Sequence, residues 1–160
     1  MEKRTQASID EIFKRHSADE ARSNEQAERI KREYDAFIAS YHKWVEEVGH
    51  PVAKEFGEAL KARGADYVLK FEADESDGSH EPSLTMALMG VSPSSPTNVE
   101  KAAKITILAD GPKRVLRYSE SGAVKKDLKT GRNADFSFTI ERGTRIALES
   151  WLVDTLDRCI

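Results

Sequence analysis

The stretch IKREYDAFIASYHKWVEEV, residues 30–48, decides how the fold is read. Its apolar side chains Ile30, Tyr34, Phe37, Tyr41, Trp44 and Val48 recur at steps of 4, 3, 4, 3 and 4, the spacing that lines one side of an α-helix. Ile38 and Val45 widen the stripe, while Lys31, Arg32, Glu33, Asp35, Lys43, Glu46 and Glu47 make a solvated face of both signs. Such a stripe must be covered, by another helix of the same chain or by a second copy. Leu and Ile dominate a plain long coiled coil; the aromatic content here fits a short parallel or antiparallel helix pairing, or a helix laid across a sheet. Ile30, Tyr34, Phe37, Tyr41 and Trp44 are therefore the candidate partner-binding residues. The expected partner is another protein or a second copy of this chain, as a homodimer.

Upstream the stripe fades into Ala27, Ser23 and Glu20. Ser8-Ile9-Asp10-Glu11 and Ser17-Ala18-Asp19-Glu20 each place a serine three residues before a glutamate, the capping-box spacing. They predict a short helix from Ile9 to Arg15 and a long one from Ala18 to Val48, or one continuous helix. Downstream, Gly49-His50-Pro51 predicts a break, because proline suits the first turn of a new helix. Val52, Phe56, Ala59 and Leu60 give that helix an apolar face, and Gly64 closes it.

From residue 65 the period changes from helical to two. Tyr67, Leu69 and Phe71 alternate with polar or smaller neighbours, as do Leu84, Met86 and Leu88, then Ile105, Ile107 and Ala109. Val115 to Ser119 predicts a fourth strand, Val124 to Leu128 a weaker one, and Phe136, Phe138 and Ile140 the last. The short turns between them, Asp110-Gly111-Pro112 among them, favour an antiparallel meander of about five strands. Thr144 is placed to cap a final helix carrying Ile146, Leu148, Trp151, Leu152, Leu156 and Ile160. The reading is an α+β protein with a helical arm over residues 1–50 and a sandwich of sheet and helices over 51–160. The C-terminal helix packs on one sheet face. Two loops interrupt the meander: an acidic one over 73–82, and a Pro/Ser-rich one over 90–98 expected to be extended.

The 160 residues are 39% hydrophobic and 33% charged, with a formal net charge of −3, too apolar for a disordered chain. No apolar run reaches the ~18 residues of a membrane helix, and the first residues do not form a signal core. The one cysteine, Cys159, fits a reducing compartment, so the expected location is the cytoplasm.

Little in the chain points to chemistry. Counted around Gly78, an EF-type calcium loop would place Ala73 and Leu84 at ligand positions, where neither can serve. His80 beside Asp77 or Glu81 lacks the burial that tunes an acid–base pair. There is no phosphate-binding glycine loop and no Gly-x-Ser-x-Gly elbow, so no catalytic residue, cofactor or metal ion is expected. Lys113, Arg114, Arg117, Lys125, Lys126, Lys129 and Arg132, with Tyr118 among them, are a candidate nucleic-acid surface, for which Arg114, Arg117 and Lys126 are the test residues. The same basic residues also suit the solvated side of a meander, where edge lysines block unwanted strand pairing.

The run Pro51-Val52-Ala53-Lys54-Glu55-Phe56, followed by Leu60-Lys61-Ala62-Arg63-Gly64-Ala65-Asp66, resembles a junction in small uncharacterised bacterial proteins. In those a charged helix, a proline-started helix and an Arg-Gly turn precede strands and a closing helix. The similarity covers residues 45–72; it implies that architecture and a bacterial source, and no activity. The function expected from the residues is a non-enzymatic interaction module that self-associates through its arm. A nucleic-acid binder, and a ligand-binding domain or enzyme without a recognisable motif, are the alternatives.

Overall fold

A computed structural model describes residues 2–73 and 81–160. Lys3–Trp44 form one helix, α1, which passes through both serine-glutamate boxes without a break. Ser8 is not a cap: its hydroxyl donates to the Arg4 carbonyl at 3.0 Å, the back-bond of a serine inside a helix. The predicted break at residues 49–51 is also replaced by helix. Val45–Gly49 form one π-helical turn, closed by the His50 N–H on the Val45 carbonyl, and α2, His50–Lys61, follows at once. Pro51 has no N–H to offer, and its ring crowds the carbonyl four residues back. A turn widened to the i→i+5 spacing accommodates both demands without ending the helix.

Five strands follow: β1, Asp66–Glu72; β2, Ser83–Met89; β3, Ala103–Asp110; β4, Val115–Ser121; and β5, Asp135–Phe138. They form one antiparallel sheet in the order β1-β2-β3-β4-β5, the meander that the short turns predict. A 3₁₀ turn at Ile140–Arg142 leads to α3, Arg145–Cys159. Thr144 caps α3, its hydroxyl oxygen accepting from the Ala147 N–H at 3.2 Å. The chain is thus α+β, with a long N-terminal helix, a five-stranded antiparallel sheet and a C-terminal helix.

Two further sequence expectations fail. Residues 124–128 make no strand: Lys125 N–H donates instead to the Arg158 carbonyl at 2.9 Å, and Asp127 carries a turn through the N–H groups of Lys129 and Thr130. The Pro/Ser loop is not extended either. Gly90 N–H bonds the Pro96 carbonyl, and Ser92 and Ser95 bond each other through backbone and hydroxyl groups. The candidate acidic loop, Asp74 to His80, lies outside the described residues.

The chain divides into two compact units, Met1–Ala36 and Phe37–Ile160. In the second, register sets the core. Phe71, Leu84, Ile107, Tyr118 and Phe136 stand in one row across the sheet, with Ala109, Leu116 and Phe138 in the next. Phe37, Tyr41, Trp44, Val52, Leu60, Leu148 and Leu152 close over that face. Burying side chains of this size contributes roughly 1.5–3 kcal/mol each. Two of them also bring a polar atom inside and satisfy it: Tyr41 Oη donates to the Ile107 carbonyl and Trp44 Nε1 to the Gly143 carbonyl, each at 2.7 Å. The indole is tightly flanked. A Cβ at Gly49 would stand 2.7 Å from the Trp44 ring, and one at Gly143 would stand 2.8 Å from both Trp44 Nε1 and Phe138.

Gly143→Ala is therefore expected to destabilise the sheet unit by about 1–3 kcal/mol, the usual cost of forcing an extra methyl into a filled site. A urea unfolding curve followed by tryptophan fluorescence checks this, and a midpoint equal to the wild type would contradict the packing described.

Candidate functional site

Residues of α1 before Phe37 belong to the first unit, where every residue from Lys3 to Arg32 is exposed. Helical stability in proteins comes mostly from packing an amphipathic face, and here that face has little cover. Local terms assist: Asp10 precedes Lys14 by four residues, as Glu11 does Arg15, Glu25 does Arg29 and Glu28 does Arg32. That orientation of acid and base gives roughly 0.2–0.5 kcal/mol per pair. They do not explain the large apolar side chains left in solvent: Ile9 at 38% exposure, Ile12 at 55%, Phe13 at 69% and Ile30 at 53%.

The five candidate partner-binding residues separate into two groups. Ile30 is exposed and Tyr34 half-buried, whereas Phe37, Tyr41 and Trp44 lie in the core of the second unit at 8%, 0% and 4% exposure. Those three are covered by the chain's own sheet and helices and present no surface to a partner. Two other side chains extend the stripe in the opposite direction. Counting back from Ile30 at alternating steps of three and four gives Ala27, Ser23, Glu20, His16, Phe13 and Ile9. The sequence reading stopped at the polar middle of this series. Carrying the same period two turns further reaches Phe13 and Ile9, so the signal was in the spacing.

The second unit holds a polar cluster that no motif announced. Glu120 follows Leu116 and Tyr118 at steps of two, and the strand parity puts its carboxylate on the core face beside Ile105. Its side chain is fully buried. Arg158 grips it with both terminal nitrogens, Thr155 Oγ1 donates to Oε1 at 2.5 Å, and the Ala134 N–H donates to Oε2 at 3.0 Å. Because the Thr155 proton is committed to Glu120, Thr155 Oγ1 accepts from Tyr118 Oη, 2.6 Å away. Burial pushes the Glu120 carboxyl up, but the bonds from Arg158, Thr155 and Ala134 outweigh it and hold the group below its ordinary value of 4.5. Tyr118 moves the other way, raised chiefly by burial.

Tyr118, Glu120, Trp151, Asp154, Thr155 and Arg158 line an open cleft of about 370 Å³. The chemistry available there is limited. Both Glu120 oxygens already accept two donors each, which fills the four acceptor positions of a carboxylate. A general acid or base works best with a pKa near the working pH, and Glu120 is held ionised well below neutrality. The cluster is a clamp joining β4, α3 and the segment before β5.

The basic residues are spread over β4 and the segments on either side of it. Arg114 sits in the turn before β4 and Lys126 in the segment after it, at opposite ends of the strand. Arg117, between them, is exposed but bound bidentately to Asp135 at 2.8 and 2.7 Å. Tyr118, the aromatic that would stack on a base, is 1% exposed and faces the core. Cys159 is buried, and its thiol is pushed up to about 11 by burial and by Glu120, so it stays protonated and unreactive near neutral pH. Among the described residues no three His, Cys, Asp or Glu side chains approach closely enough to hold a metal ion, and no helix is long and apolar enough to cross a membrane.

Removing one partner of the clamp leaves a buried charge uncompensated, so Arg158→Met is expected to cost about 3 kcal/mol in urea unfolding. The pH dependence has a definite sign. A carboxyl whose folded pKa is depressed stabilises fully above its unfolded value and loses that contribution as pH falls through the folded one. Wild type should therefore lose stability below about pH 4.5, and Glu120→Gln should lose less over the same interval. Unfolding midpoints of the two proteins at neutral pH and at about pH 3 check this, and parallel losses would contradict it.

Comparison of the chain with family models, with curated proteins and with solved structures returns no match, so the functional reading rests on these surfaces alone.

Proposed function

We propose that this chain is a non-enzymatic protein-interaction module that self-associates through the first unit of α1, working in the cytoplasm as an adaptor, chaperone or regulator. The observation that carries the reading is the exposure of Ile9, Ile12, Phe13 and Ile30 along residues 3–32 of α1, whose other positions are charged, polar or small. A helix of this kind gains most from a second apolar face, and burying each such side chain contributes roughly 1.5–3 kcal/mol. The buried, protonated thiol of Cys159 is compatible with a reducing compartment. A nucleic-acid role has less support, since Arg117 is already paired with Asp135 and Tyr118 offers no stacking surface.

Substitutions at Phe37 or Tyr41 would test folding rather than association, because both are core residues. Phe13→Glu with Ile30→Glu separates the two. Sedimentation equilibrium is expected to find wild type self-associated and the double variant at least ~100-fold weaker, as two apolar anchors are lost from each copy. The tryptophan fluorescence of the sheet unit should be unchanged. A wild-type chain that stays monomeric at the highest attainable concentration would refute the reading.

A further inference from the structure

Resting on that reading, we infer that the occupant of the exposed α1 face is the same face of a second copy running antiparallel, in one register. The polar residues at the middle of the stripe select it. Its exposed or half-buried members are Ile9, Phe13, His16, Glu20, Ser23, Ala27, Ile30 and Tyr34. Folded back on itself about a two-fold axis between Ala21 and Arg22, the series matches its own members by character. Ile9 meets Tyr34 of the second copy, Phe13 meets Ile30, His16 meets Ala27 and Glu20 meets Ser23. Large apolar groups fall on large apolar groups at both ends, and polar or small groups fall together in the centre. These matched positions also alternate correctly between the two classes of seam position that face each other in an antiparallel helix pair.

The flanking positions agree. On one side of the seam this register sets Asp10 opposite Lys31 of the second copy, an attractive pair made twice by symmetry. On the same side it sets Ser17 opposite Asn24. On the other it sets Asp19 opposite Gln26 and Ile12 opposite Glu33, with no like charges facing.

The competing arrangements each lose something. A parallel, in-register pair would stack Glu20 on Glu20 inside the seam and bring no opposite charges together at the flanks. Sliding the antiparallel pair by one heptad either way puts Phe13 on Ser23 and Ile30 on Gln6, or sets Glu20 on Ile30. A polar seam position is a known selector of register, at a cost in strength. Here His16 Nδ1 lies 3.8 Å from Glu20 Oε1 of its own helix, so the central carboxylate arrives with a partner when His16 is protonated.

Spin-label distances test the geometry. On a Cys159→Ser chain, which removes the one native thiol, a nitroxide is placed at Arg22→Cys or at Arg4→Cys, both exposed helix positions. At ~1.5 Å of rise per residue, the antiparallel register puts the two labels at 22 almost level and the two at 4 roughly 50 Å apart along the axis. Short distances at both positions would mean a parallel pair and overturn the inference. No intermolecular distance at either would remove it together with the self-association on which it rests.

Charge reversal tests the register separately. Asp10→Lys alone and Lys31→Asp alone should each weaken association about tenfold, since each creates like-charged pairs. Mixing the two variants should restore it. In the mixed pair the lysine introduced in one chain faces the aspartate introduced in the other, and at the second site the native Lys31 faces the native Asp10. A mixture no tighter than either variant would show that residues 10 and 31 do not meet.

Discussion

Tyr41 and Trp44 carry polar atoms into the core, and each must find an acceptor there or cost more than its ring contributes. Tyr41 finds the Ile107 carbonyl in the middle of the sheet, and Trp44 finds the Gly143 carbonyl just before α3. Two anchors one helical turn apart, on acceptors far away in sequence, fix the last turns of α1 in both rotation and height. The rest follows from that placement. The indole can lie flat only where no Cβ intrudes, hence the glycines at 49 and 143, and the chain after Trp44 must keep turning, hence the π-helical turn ahead of Pro51. The Trp44 ring then meets Phe138, and Phe138 meets Trp151, so the anchor of the first helix is carried through aromatic contacts to the last.

The clamp at Glu120 does for α3 what those anchors do for α1, by electrostatics instead of shape. A carboxylate on the core face of a strand is costly unless every lone pair is used. Here α3 supplies Arg158 and Thr155, and the segment before β5 supplies the Ala134 N–H. The arrangement ties elements distant in sequence without requiring any ligand, and its saturation separates it from a reactive site.

Much of this was legible in the residues. Strands announced themselves by alternation, as in Ile105, Ile107 and Ala109, which are buried while the intervening Lys104, Thr106 and Leu108 are half-buried on the opposite face. Thr144 marked a helix start that the structure uses. Of the two arrangements that the serine-glutamate boxes left open, the continuous helix is the one found: a capping signal does not end a helix when strong helix formers continue on both sides, and Ser8 bonds backward to the Arg4 carbonyl. Val124 to Leu128 looked like a strand from side chains alone, but its N–H groups are engaged elsewhere: Lys125 donates to the Arg158 carbonyl and Asp127 to the Arg132 carbonyl. Glu120 was hidden because the alternation read from sequence ended at Ser119, whereas β4 runs to Ser121 and carries the parity of Leu116 and Tyr118 on to Glu120. The stripe from Ile30 to Trp44 was visible as a stripe. Periodicity reports that a face needs cover and is silent on whether the cover is the chain's own sheet, as for Phe37, Tyr41 and Trp44, or lies beyond it.

Both tryptophans, Trp44 and Trp151, fall in the unit that begins at Phe37, and the helix before it has none. Indole emission therefore sees the sheet and its helices and is blind to residues 3–36, whereas far-ultraviolet ellipticity weights that long helix heavily. The molecule carries its own optical partition: melting of the exposed helix and melting of the core are distinguishable in one sample, with no added probe.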